Sequence, residues 1–295
     1  MYSNKLKKGF MYNKIIDELY KKAETITLED KDKVVFISDC HRGDGSYKDP
    51  LMNNYNTYKG ALKYYLKNNF KLVEIGDGDD LWRNKDYSYI GYYYEEIFEI
   101  LLKFKKEHRL YLFWGNHDII KKYKHEFLNL LDISKEEKFY KILKDLYGDV
   151  NFYEALKFHR KGDEFFVFHG HQIDKINSNF WRISCFLLRN VWARVESIGI
   201  KTPTLPAQNI ARRKVVDKRI LNWSIKNNKK VIAGHTHKAR LGNHERGYYY
   251  NDGCCVYPNH ITTIEYIEGK LNLIKWYLDL GDDGKIILTR KIINY

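Results

Sequence analysis

Disulfide chemistry has little to work with in this sequence. Its four cysteines, Cys40, Cys185, Cys254 and Cys255, form no CxxC pair and no framework spacing. That excludes a disulfide-stapled scaffold and a cysteine-rich structural zinc site, and it fits a reducing compartment in which the thiols are packed rather than reactive. Long apolar runs are also missing. No stretch approaches the ~20 residues needed to cross a bilayer, and the opening MYSNKLKKGFMYNKIID has no apolar signal-peptide core. The expected location is therefore the cytoplasm. No internal repeat or low-complexity tract occurs, so repeat architectures are excluded. Acidic residues are scarce in one place: from 175 to 230, thirteen Lys or Arg stand against only Glu196 and Asp217, which accounts for most of the net charge of +13. A field of that sign gathers phosphate esters, nucleic acid or anionic lipid; the plainer reading is a solvated helix face.

What is present is enough apolar and aromatic sequence, over 295 residues, to bury a sizeable core. An amphipathic leader helix is expected over about 12–23. Short β-rich apolar runs at 34–38, 71–76 and 109–115 alternate with helical patterns at 58–69 and 92–107, which argues for a parallel sheet with right-handed crossovers. The second half changes character. NFYEALKFHR, KGDE and FFVFHG read as a hairpin, the basic segment has helical spacing on both sides of TPTLP, a strand returns at 230–233, and ITTIEYIEGKLNLIKW reads as a second hairpin turning at EGK.

Each of five strands stops at polar residues able to bind metal. These are Asp39 and His41 in DCH, Asp77 and Asp80 in GDGDD, Asn116, His117 and Asp118 in GNHD, His169 and His171 in HGH, and His235 and His237 in GHTH. One such cluster is commonplace; five at successive strand ends are not. Ligand residues gather at the carboxyl ends of strands in sheets of this kind. Oxygen and imidazole donors without cysteine suit Mn, Fe, Zn or Mg. The donors exceed the needs of one ion, whereas two ions sharing a carboxylate would use them all and would clamp both oxygens of an in-line phosphoryl displacement.

The ordered series DxH, GDxxD, GNHD, HG and GHTH resembles the calcineurin-like metallophosphoesterase superfamily over about 34–276. GDGDDLW, the helical insertion after HG, and YYNDGC look most like the branch that contains UDP-2,3-diacylglucosamine pyrophosphohydrolases. The resemblance implies an α/β fold, a four-layer αββα sandwich of two mixed β-sheets flanked by helices. It implies a single domain over 1–295, with a leader helix (about 1–28) and a basic helical lid insertion (about 175–228). It also implies two divalent metal ions, Mn first, with Fe, Zn or Mg as alternatives. Asp39, His41 and His237 would bind one ion, Asn116, His169 and His235 the other, and Asp77 would bridge them. A hydroxide between the ions would be the nucleophile. His117 would act as general acid with Asp80 orienting it, and Asp118 would support the turn.

Three positions depart from the family pattern. His171 stands where an acid is usual, which turns it toward the substrate or an outer layer of the site. Arg42 stands where an apolar residue is usual, either as a substrate-binding group gripping a phosphate oxygen or as a partner of Asp44. NDGCCV replaces NCGDWV. The expected activity is hydrolysis of phosphoric ester or pyrophosphate bonds, in an anionic substrate with an apolar or nucleotide moiety. The alternatives are a nucleic-acid-binding protein or nuclease whose basic insertion holds the phosphate backbone, and a peripheral membrane contact through Trp181, Phe186, Leu187, Leu188 and Trp192 among arginines.

Overall fold

Alternation along the apolar strands decides the layering. Successive side chains of a strand point to opposite faces, so a strand that is apolar throughout must be covered on both sides. The computed structural model describes residues 2–132, 138–174, 210–243 and 247–293. In chain order its first half contains α1 (Tyr2–Lys22), β1 (Glu24–Thr27), β2 (Lys33–Ile37), α2 (Tyr55–Lys67), β3 (Phe70–Glu74), α3 (Tyr87–Tyr93), α4 (Glu95–Lys106), β4 (Leu110–Phe113), α5 (Lys124–Leu131) and α6 (Lys138–Tyr147). There follow β5 (Phe152–Tyr153), β6 (Ala155–Arg160), β7 (Asp163–Phe168), α7 (Ile210–Asn227), β8 (Lys230–Ala233), β9 (Tyr249–Asn251), β10 (Ile261–Ile267), β11 (Lys270–Leu280) and β12 (Ile286–Ile293).

Two mixed sheets form. One runs β12-β11-β10-β2-β3-β4-β5 and the other β1-β6-β7-β8-β9. Strands β2 to β5 are parallel and β10 joins β2 antiparallel, while β7, β8 and β9 are parallel in the second sheet. Val34 and Phe36 of β2 face a core between the sheets, where they meet Phe158, Phe165 and Val167. Their neighbours Val35 and Ile37 face the other way, into a core formed with α2, α4, α5 and α6. The outer face of the second sheet, Phe166, Phe168, Val231 and Ala233, is covered by Tyr12, Ile16 and Leu19 of α1 and by Val216, Ile220 and Trp223 of α7. The result is helix, sheet, sheet, helix.

Both expected hairpins are present, β6 with β7 and β10 with β11. Their turns carry Lys161-Gly162 and Glu268-Gly269, all four at positive φ, as a two-residue turn matched to strand twist requires. The helix expected over 92–107 is instead two, α3 and α4, broken at Tyr94, whose hydroxyl is turned inward to donate to Asp49 Oδ2 at 2.8 Å. The expected lid over 175–228 divides. Its first part, 175–209, including the five residues of the membrane-contact reading, lies outside the described residues. Its second part is α7, buried against the sheet as part of the outer layer. No helix among the described residues is long and apolar enough to cross a membrane.

Candidate metal centre

Strands β2, β3, β4, β7 and β8 all end at one edge of the two-sheet sandwich, and the turns beyond them converge. The chain leaves β2 and β3 in parallel: Asp39 N–H donates to Gly76 O at 3.2 Å and His41 N–H to Asp77 O at 2.9 Å. Across the sandwich, Gly234 N–H donates to His169 O at 3.1 Å. Two glycines let these turns close. A Cβ on Gly115 would fall 2.2 Å from Asp77 Oδ1, and one on Gly234 2.2 Å from Ser38 Oγ. Five of the side chains expected to bind metal sit on strained backbone: Asp39, His41, Asp77, His235 and His237 all have φ between 50° and 65°, a left-handed conformation disfavoured for residues with a Cβ.

The side chains form three overlapping sets of donor atoms, each within 4.8 Å: Asp39, His41 and His237; His41, Asp77 and His117; and Asp77, His169 and His235. His237 Nε2 lies 3.0 Å from Asp39 Oδ1, His169 Nε2 3.3 Å from Asp77 Oδ2, and His41 Nε2 3.3 Å from His237 Nε2. Asn116 is buried beside His117, whose N–H donates to Asp77 Oδ1 at 2.7 Å. Outer contacts fix the orientations. Asp39 Oδ2 accepts from Ser38 Oγ at 2.6 Å and His235 N–H at 2.8 Å, which leaves Oδ1 toward the histidines. His169 Nδ1 is 2.7 Å from Ile75 O, which places a proton on Nδ1 and turns Nε2 toward Asp77.

Burial alone would neutralise these groups, but mutual attraction outweighs it. Burial raises the Asp77 carboxyl while the His169 and His117 imidazoles pull it far below the ordinary range. Burial lowers His169, yet Asp77 and Asp39 push it up to about 9. His235 goes down, burial dominating. The site also suits cations by what it leaves unpaired. Among the described residues, Asn116 Oδ1 and His117 Nε2 are buried without a hydrogen-bond partner, and Asp39 Oδ1 and His169 Nε2 meet only other members of the donor sets. Buried polar atoms are seldom left so, and oxygen and imidazole donors in this number fit divalent ions.

The model of the calcineurin-like phosphoesterase family matches residues 32–239, most of the chain and all five clusters. The chain belongs to the calcineurin-like phosphoesterases. No curated protein matches it. Solved structures similar to this phosphoesterase include vacuolar protein sorting 29 from Cryptosporidium parvum (13% identity, 90% of this chain and 99% of that one, TM-score 0.37). Others are a novel archaeal phosphodiesterase (14%, 88% and 99%, 0.35) and Vps29 from Chaetomium thermophilum (9%, 88% and 96%, 0.41).

Around the phosphoesterase's candidate metal site, His117 is gripped on two sides. Its Nδ1 is 2.8 Å from Asp80 Oδ1, and its ring stacks on Trp82 at 4.3 Å and 21°. Burial opposes charging, but Asp80 and Asp77 raise the imidazole, and Asp80 itself is lowered to about 2. Asp118 supports the turn: it accepts from the N–H groups of Gly115 at 2.7 Å, Asp77 at 3.2 Å and Gly78 at 3.1 Å. His171 is buried, with its ring 5.3 Å from His169 and 5.2 Å from Trp114. The acid absent at 171 has a counterpart at 174: Asp174 Oδ2 is 3.5 Å from His235 Nε2, and Asp174 Oδ1 accepts from Arg212 of α7.

Arg42 does not face a substrate. It is fully buried and donates to both oxygens of Glu74 at 2.7 and 2.9 Å, to Asp79 Oδ1 at 2.6 Å and to Tyr58 OH at 3.0 Å. Neither a phosphate nor Asp44 is its partner, because Glu74 and Asp79 already use its fork of donors. Lys121 completes the cluster at 2.8 Å from both Asp79 and Asp118. Glu74, Asp79, Lys121, Ser38 and Asp174 escaped the sequence reading. Only a basic residue in an otherwise apolar motif position hinted that buried carboxylates waited for it.

Proposed function

We propose that the chain hydrolyses phosphoric ester or anhydride bonds with two divalent ions. Asp39, His41 and His237 hold one, Asn116, His169 and His235 the other, with Asp77 shared. The observation that carries this reading is the convergence of three overlapping donor sets, all of buried residues, at one edge of the sandwich. The ions, when bound, supply Lewis-acid stabilisation of the phosphoryl oxygens and lower the pKa of the attacking water. The chain's own residues do the rest. Asp77 and Asp39 balance the positive charge. His117, kept protonated and oriented by Asp80 and backed by Trp82, delivers the proton on Nε2 to the leaving oxygen as the phosphorus–oxygen bond breaks and a new one forms to water. Mn is the first metal to supply, with Fe, Zn and Mg as comparisons.

The test is hydrolysis of a chromogenic phosphodiester with added Mn. Asp77→Asn is expected to lose activity together with bound metal. His117→Ala should keep its metal and lose about 10²–10⁴-fold in rate. Activity undiminished in both variants would sink the reading.

A further inference from the structure

We infer that the cleft beside the metal centre is a binding groove for single-stranded nucleic acid, so that the phosphoester reaching the centre belongs to a polynucleotide. This rests on the proposed phosphoesterase reading and names its substrate class. The cleft has a volume of about 930 Å³ and begins one residue beyond His237, where the loop after β8 meets β10, β11 and β12. Lys238, Arg240, Lys275 and Lys291 line it together with Tyr257 and Tyr277, and among the described residues no acidic side chain does.

The register of the sheet makes this placement informative. Lys275 of β11 lies directly opposite Lys291 of β12, and Thr262 of β10 directly opposite Lys275. Like charges facing each other across an antiparallel pair repel and weaken the sheet. Neither lysine has an ion pair among the described residues. Next along β12, Arg290 pairs with both oxygens of Glu265, so this sheet does neutralise charge where no ligand is served. A row of facing lysines in a concave cleft suits a ligand with several phosphates.

The aromatic rings narrow the class. Tyr257 and His260 stack at 5.0 Å and 13° on the cleft wall, and Lys275 Nζ lies 5.4 Å from the Tyr277 ring. Flat rings among cations are what unpaired bases stack on. Bases are offered in that way by a single strand and not by a duplex. A membrane surface would call for a protruding apolar face instead of a cationic hollow.

The experiment uses the Mn-loaded protein and a fluorescein-labelled phosphorothioate oligothymidylate of about 12 nucleotides, chosen to resist hydrolysis, with binding read by fluorescence anisotropy across a salt series. Wild type should bind, and binding should weaken steeply with salt. The double variant Lys275→Gln, Lys291→Gln should bind at least about tenfold more weakly, with a log–log salt slope shallower by about 1.4, or about 0.7 for each phosphate that is no longer neutralised. Its thermal midpoint should hold or rise, because the repulsion is gone; a merely structural role for the lysines predicts the reverse. Unchanged oligonucleotide binding in the double variant overturns the inference, as does binding of anionic vesicles without binding of the strand. Wild-type turnover of the small chromogenic diester separates the two readings. Turnover without strand binding refutes the groove alone, whereas strand binding without turnover refutes the metal-centre chemistry alone.

Discussion

Arg42 and Lys121 are two cations without access to solvent, held by Glu74, Asp79 and Asp118 directly under the turns that carry Asp77 and Asp80. Burial lowers the Asp79 carboxyl's preference for charge, yet Arg42 and then Lys121 hold it far below the ordinary range. Removing one partner of such a cluster strands the others. Arg42→Met is therefore expected to destabilise the fold by about 3–5 kcal/mol in urea unfolding. A raised KM with unchanged stability would instead show that Arg42 does reach substrate. The left-handed backbone makes a second prediction at this scale. Glycine usually destabilises relative to alanine, but His41 sits at φ 50°. In metal-free protein, His41→Gly should be the more stable of the pair His41→Gly and His41→Ala, by about 1 kcal/mol, as measured by denaturant midpoint.

Helix α7 shows what an element's sequence conceals. It is strongly basic, and its exposed face looks like a solvated lid, but Trp223 is buried against Phe166 and Tyr20, and its indole N–H donates to Asp17 Oδ1 of α1 at 2.7 Å. Trp223→Ala should cost about 3–5 kcal/mol with little change in catalytic constants; a purely kinetic effect would mark a lid instead. Elements with several apolar residues in period were legible in advance: β2, β3, β4, both hairpins and α2. Strands β5 and β9 span two and three residues, too few for a period to emerge, and β1, ETIT, has one apolar residue in four; they exist because longer neighbours offer them an edge. The clusters at 39–41, 77–80, 116–118, 169–171 and 235–237 were legible because their chemistry recurs at five strand ends. The partners of Arg42 were not, since nothing local places residue 42 beside residues 74 and 79.

For the whole molecule, the interplay of metal and fold sets the stability. Side chains that suit metal also join the turns of the two sheets, His237 to Asp39 and His169 to Asp77, so an empty site brings like charges close together. Chelation should lower the thermal midpoint, and Mn at about 100 times its Kd should raise stability by about 2.7 kcal/mol, as calorimetry would record. A midpoint indifferent to metal would indicate that ions do not bind the folded centre. The net charge of +13 acts over the same distances, drawing anions toward an edge of the sandwich where α7 and the β8 loop both present arginine and lysine.

The indole of Trp82 stacked on His117 gives the protein an optical probe of its own centre. Paramagnetic ions such as Mn quench nearby indole emission more strongly than Mg or Zn, so titrating each metal while watching intrinsic fluorescence, with Trp82→Phe as the blank, turns this one ring contact into a colour-free assay of which ion has arrived.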